Sequence, residues 1–200
     1  MQRLGVNPWI TMWYNPKRTI RAIVEAYPRM GMYYLGALIV LQNLFFVISA
    51  YSIKLGAYFN SFIGLFIIIS PLVGVIWINI FAIVLFYIGR FLGGNASFSY
   101  VRACFSWSSV PYIIDVFMWL MLFAFAPSYF AEHLLTGVSF FFVHLIYTIT
   151  GVWSFVLLVL ALMEVQQFTA KRAILNIVVT NIIIGLLIII PLFIYYYLIK

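Results

Sequence analysis

From Ser61 to Gly89 the chain runs for 29 residues without a charged side chain. As a straight α-helix that stretch would reach about 43 Å, more than the roughly 30 Å hydrocarbon core of a bilayer. Further apolar runs cover about residues 32–53, 111–130, 137–163 and 173–199. Over the whole chain 66% of residues are hydrophobic and 8% are charged, against about 25% charged in a soluble domain. The expected fold class is therefore an all-α integral membrane protein with five transmembrane helices, residues 32–200 forming one membrane domain. The 61–89 run is long enough to require tilt or a bend, and Pro71 removes a backbone hydrogen bond in its middle. Ser70 and Gly74 make a small-xxx-small pair, which lets another helix come close.

Residues 1–31 have a different character. They hold Arg3, Lys17, Arg18, Arg21 and Arg29 of the eleven basic residues. Asn15 suits an N-cap and Pro16 the first helical position, where its missing N–H leaves nothing unpaired. Ile20, Ile23 and Val24 recur at helical spacing, opposite Lys17, Arg18, Arg21 and Glu25. Pro28 ends the helix by about Tyr27. Trp9, Trp13 and Tyr14 carry amphipathic rings suited to the headgroup layer. The pattern predicts a short amphipathic helix lying on the membrane surface. The loop 90–110 reads similarly: Gly93-Gly94-Asn95 marks a turn, and Phe98, Val101 and Phe105 follow at helical spacing beside Arg102 and Trp107. It predicts a second interfacial helix on the same face, with Pro111 opening the third span.

Charge sets the expected orientation. With the N-terminus in the cytoplasm, the inner side holds Arg3, Lys17, Arg18, Arg21, Arg29, Arg90, Arg102, Lys171 and Arg172, and the outer side Lys54 and Lys200. This positive-inside bias predicts a cytoplasmic N-terminus and an external C-terminus. It also accounts for the net charge of +7 without nucleic acid, for which no binding motif is present. The single cysteine, Cys104, excludes an internal disulfide and a multi-cysteine metal site, and its expected inner position would make it a reporter of sidedness. The first thirty residues lack the continuous apolar core of a cleavable leader, so the first span is expected to direct insertion. The absence of an organelle signal leans towards a bacterial inner membrane.

Polar groups inside the spans are few. Asp115 is the only acidic one, placed near the inner end of the third span, where Arg90 is its expected partner. His144 lies in the fourth span with no second titratable group for a proton relay, and reads as a hydrogen-bonded packing residue. Gln42, Asn43, Asn79, Asn176, Thr180 and Asn181 read as interhelical glue. The turn residues Glu132 and His133 lack the spacing of a zinc site. There is no phosphate-binding glycine loop and no nucleophile elbow. We therefore expect no enzyme, cofactor or metal.

The segments Pro8-Trp9, Trp13, Pro16-Lys17-Arg18-Thr19-Ile20-Arg21, Gly93-Gly94 with Ser97-Phe98, and Ser109-Val110-Pro111 follow one another in an order that resembles small prokaryotic members of the Yip family. These are the Ypt-interacting integral membrane proteins. The resemblance spans essentially the whole chain and implies five spans and a cytoplasmic N-terminus. It also implies a non-enzymatic organiser or adaptor acting through lipid or other integral membrane proteins. The Asp-Leu-Tyr-Gly-Pro and Gly-Tyr-Gly motifs of eukaryotic members are absent, which removes the support for binding Rab-type GTPases. The candidate partner or lipid surface comprises Trp9, Trp13, Lys17, Arg18, Arg21, Arg90, Arg102 and Trp107. The candidate intramembrane polar residues are Asp115, His144, Asn79 and Asn43. A small oligomeric channel or transporter is the alternative, supported by the scattered polar groups and the Pro71 break.

Overall fold

The computed structural model describes residue 5 and residues 7–50, 59–125 and 137–198. The expected turns at Lys54–Gly56 and at Pro127, Glu132 and His133, together with Arg3 and Lys200, lie outside the described residues. Among those residues the secondary structure is entirely helical: α1 (Pro8–Thr11), α2 (Pro16–Ala26), α3 (Met32–Ala50), α4 (Phe59–Phe91), α5 (Phe98–Ser108), α6 (Tyr112–Phe125), α7 (Gly137–Gln166) and α8 (Ala170–Leu198). Four stretches are long and apolar enough to cross a membrane: Gly64–Phe91, Phe98–Leu122, Phe141–Gln166 and Ala170–Leu198. The described part of α3, Met32–Val47, is apolar but shorter. Ile182, Leu187, Ile189, Leu192 and Phe193 of α8 are all more than half exposed. In water such a face would aggregate, whereas in a bilayer it meets lipid.

Local chemistry explains the helix ends. Asn7 caps α1, its side-chain oxygen accepting from the Trp9 N–H at 3.2 Å. Asn15 occupies the N-cap of α2 as expected, but its side chain makes no capping bond. The Thr19 hydroxyl lies 2.8 Å from both the Asn15 carbonyl and the Thr11 hydroxyl, its one proton shared between them, and so ties α1 to α2. Helix α4 carries on through Pro71. A proline there leaves the Ile67 carbonyl without its usual donor, and the Ser70 hydroxyl donates to that oxygen at 2.9 Å. The predicted close approach at Gly74 is present. A methyl on Gly74 would overlap the Gly36 carbonyl, and one on Gly36 would lie 2.8 Å from the Gly74 carbonyl carbon. Thus α3 and α4 meet backbone to backbone, the arrangement small residues permit in lipid.

One expectation is corrected. Helix α5 does not lie on a surface; it packs against α4, α7 and α2. Val101, Arg102, Ala103, Cys104, Ser106, Trp107 and Ser108 are buried. A surface helix keeps its polar groups for water, but the hydroxyls of α5 find backbone partners inside, and of the Arg102 guanidinium Nη1 is paired while the buried Nε is not. The Ser106 hydroxyl donates to the Arg102 carbonyl and the Ser108 hydroxyl to the Phe105 carbonyl, at 2.9 and 2.8 Å. With α6 it makes the apolar stretch Phe98–Leu122, interrupted at Ser109–Pro111 between the two helices.

Two buried clusters result. The larger joins Ile20, Ile23 and Val24 of α2 to Leu85, Val101, Trp107, Leu158 and Leu162. The smaller, with Phe45, Trp119 and Tyr147, lies nearer the other end of the bundle. There the Trp119 indole donates to the Tyr147 hydroxyl at 2.6 Å, and that hydroxyl donates to the Gln42 carbonyl at 3.3 Å.

Gly74→Ala should cost about 1–3 kcal/mol through overpacking against a backbone that has no rotamer to change. Gly64→Ala, with nothing within 4 Å of the new methyl, should be neutral or mildly stabilising. Reversible unfolding in mixed micelles checks the pair, and equal behaviour would contradict the Gly36–Gly74 contact. Cys104 is fully buried and cannot serve as a reporter of sidedness. A maleimide should leave it unmodified in intact and permeabilised membranes alike, and modify it only after denaturation.

Candidate interaction surface

Helix α2 rests its apolar face on one end of the bundle. Ile20 and Ile23 are fully buried, and α2 packs on α5 and α7. Arg21 donates from Nε to Glu164 Oε1 at 2.7 Å, and its Nη2 bonds the same oxygen. Arg21 is largely exposed, so this ion pair is worth about 0–1 kcal/mol. It sets the rotation of α2 more than its stability. Lys17 and Arg18 face outward from the same helix.

The other predicted surface residues separate into two groups. Arg90 is exposed, with its guanidinium over the Phe86 ring at 5.4 Å. Trp9 and Trp13 are half-buried. Trp107 and Arg102 are not on the surface. Trp107 is enclosed, its ring edge-on to Trp9 with centroids 5.4 Å apart, and its indole N–H donates to the Met30 carbonyl at 3.1 Å. Gly31, at φ +74°, turns beside it, leaving 3.0 Å between the site of a Cβ and the indole. Arg102 is 8% exposed; its Nη1 donates to Asn79 Oδ1 at 3.1 Å and its guanidinium lies over Phe98. Both residues therefore hold α5 in place.

A second junction at this end was not legible in the sequence. Helix α4 ends in a Schellman turn, with Gly94 N–H donating to Gly89 O at 2.8 Å and Gly93 N–H to Arg90 O at 3.0 Å. Gly93 takes the left-handed position, φ +88°, as such turns require. Helix α7 ends alike, with Phe168 N–H donating to Met163 O at 3.2 Å and Gln167 at φ +56°. The two turns meet through Gln166. A methyl on either Gly89 or Gly94 would overlap its amide, and one on Gly94 would also lie 2.8 Å from the Phe168 ring. The Gly-Gly pair thus does two jobs: Gly93 supplies the turn, and Gly94 makes room for Gln166. Together with the Arg21–Glu164 pair, these contacts bring α2, the ends of α4 and α7 and the start of α8 together, gathering Lys17, Arg18, Arg21, Arg90, Lys171 and Arg172 at one end.

The intramembrane candidates lie away from that end. Asp115 is fully buried and accepts from the Thr150 hydroxyl at 2.8 and 3.0 Å. The expected Arg90–Asp115 pair does not form. Arg90 stands at the level of Gln166, and Thr150 precedes Gln166 by sixteen residues on α7, about 24 Å of helix. His144 lies beside Phe46 and Tyr147, with centroids 5.9 and 6.3 Å away. Asn43, Asn79 and Asn181 each donate to the carbonyl one turn back, at 2.7, 2.7 and 2.8 Å. Of these three, Asn79 also reaches another helix, through Arg102. Among the described residues no group of three His, Cys, Asp or Glu could hold a metal ion.

Gly94→Ala should destabilise by about 1–3 kcal/mol. Adding Gln166→Ala should recover part of that, giving a coupling above about 0.5 kcal/mol in a double-mutant cycle. Strict additivity would contradict the junction.

No curated protein and no solved structure matches the chain. The Yip1 domain model matches residues 10–192, a stretch that runs from α1 into the last third of α8 and takes in the α2 face, both turns and the interrupted α5–α6 stretch. The chain is therefore a member of the Yip1 domain family of membrane proteins.

Proposed function

We propose that this protein is a non-enzymatic, five-span membrane organiser or adaptor, with its N-terminus in the cytoplasm and its C-terminus outside a bacterial inner membrane. Helix α3 and the four longer apolar stretches would supply the five crossings. The working surface is the exposed basic face of α2, extended by Arg90, Lys171 and Arg172. One observation carries this reading. The apolar face of α2 is committed to the bundle, while Lys17 and Arg18 point outward with no acidic partner among the described residues. A helix held in this way presents fixed positive charge at the membrane boundary. Its natural ligands are anionic headgroups or the acidic juxtamembrane segments of other membrane proteins. Arg21 is removed from the ligand-binding set because Glu164 already engages it.

Near an anionic surface each such charge is worth about 1 kcal/mol. Lys17→Gln with Arg18→Gln should therefore weaken retention of phosphatidylglycerol by about ten- to thirty-fold at low ionic strength, with the difference shrinking as salt rises. Native mass spectrometry from nanodiscs of mixed phosphatidylglycerol and phosphatidylcholine reads this directly. Equal retention by wild type and variant would remove the lipid arm and leave protein partners. For sidedness, Lys17→Cys in a Cys104→Ala background should react with an impermeant maleimide only after permeabilisation. Labelling in intact cells would overturn the orientation.

A further inference from the structure

Halfway along the bundle the helices leave a chamber of about 280 Å³, far above the ~10–15 Å³ that one water requires. Its polar lining comes from Asn43 on α3, Ser108 on α5, Ser109 at the break, Tyr112 on α6, Ser154 on α7 and Asn181 on α8. Asn43 stands eleven residues along α3 and Asn181 eleven along α8. Ser109 stands eleven residues past the start of α5. At 1.5 Å per residue each is about 16 Å from the α2 end, the depth of a bilayer midplane. Interrupted backbone at that depth is tolerated where it is buried in protein or lines a polar cavity, and Ser109 lines this one. A second hollow, shared through Asn43 and Tyr112, continues past Thr148 towards His144.

The lining has a definite chemistry. Among the described residues no charged side chain borders the chamber, so nothing there balances a phosphate. Asn43 and Asn181 commit a donor to their own helix, and their side-chain oxygens have no partner among the described residues. Both residues are exposed rather than sealed in the core. The chamber therefore offers acceptors and hydroxyls, and asks for a neutral group rich in hydroxyl donors. Phe81 and Phe105, stacked with centroids 4.3 Å apart, and Trp77 close its apolar side. We infer that the chamber is a binding site for the uncharged, hydroxyl-bearing headgroup of a membrane lipid, of which a diacylglycerol is the simplest probe. This inference does not depend on the α2 surface.

The full chain is placed in phosphatidylcholine nanodiscs with a photoactivatable diacylglycerol, and the labelled peptides are mapped by mass spectrometry. Labelling is expected on the peptides that contain Asn43, Trp77 and Asn181. Unlabelled diacylglycerol should displace it, and the Asn43→Leu/Asn181→Leu variant should lower it about tenfold, the size of one or two lost hydrogen bonds. Competition on the wild-type chain tests the same claim without any variant, should the double substitution fail to fold. Labelling confined to the exposed face of α8 overturns the proposal. So does equal displacement by phosphatidic acid, which would mean no selection against charge. Equal displacement by free glycerol overturns the lipid assignment and points to passage of small polyols instead.

Discussion

The burial of Trp107 is the contact on which the rest depends. Its indole N–H is held by the Met30 carbonyl, its ring meets Trp9 edge-on, and Gly31 turns tightly beside it. A fully buried tryptophan contributes several kcal/mol of packing, and this one joins the N-terminal segment to α5. With Trp107 inside, α5 must lie within the bundle, and its polar residues must find partners there. Arg102 does so with Asn79, and Ser106 and Ser108 with backbone carbonyls. The apolar stretch then runs on into α6 through Ser109–Pro111, which brings Ser109 into the lining of the chamber.

The same contact decides what happens to α2. An amphipathic basic helix has two places to put its apolar face: the acyl boundary of the bilayer or the end of the protein. Both remove Ile20, Ile23 and Val24 from water, so hydrophobic transfer does not discriminate between them. Close packing does, because the bundle offers fixed complementary surfaces and lipid does not. Trp9 and Met12 join that packing, the Thr11–Thr19 bond makes α1 and α2 one unit, and the Arg21–Glu164 pair adds about 0–1 kcal/mol. Attraction of Lys17 and Arg18 to anionic lipid, about 1 kcal/mol each, acts on the outward face and does not compete with docking.

Much of this was legible from pattern alone. The start of α2 at Pro16 and its end before Pro28, the buried trio Ile20, Ile23 and Val24, the turn at Gly93-Gly94 and the close approach at Gly74 all follow from local residue chemistry. What escaped was long-range. Phe98, Val101 and Phe105 have the spacing of an amphipathic helix whether their partner is lipid or protein, so periodicity could not tell a surface helix from a buried one. Arg102 reads as a surface charge unless Asn79, 23 residues earlier, is known to face it. Gln166 sits beside an exposed Gln167 and looks like a loop residue; only the empty space at Gly89 and Gly94 marks it as a junction. In sequence Asp115 and Arg90 both lie near the ends of apolar runs, whereas the apolar stretch begins at Phe98 and carries Asp115 about a dozen residues further in.

The central claim is that α2 is a fixed part of the protein that presents charge, not a tether floating on the membrane. Spin labels placed on α2 at Lys17 and on α8 at Lys171 test it most directly, by electron–electron double resonance in nanodiscs. The account predicts a single narrow distance distribution, unchanged when anionic lipid replaces zwitterionic lipid. A broad distribution, or one that shifts with lipid charge, would show that the bilayer and not the bundle positions α2, and would contradict it.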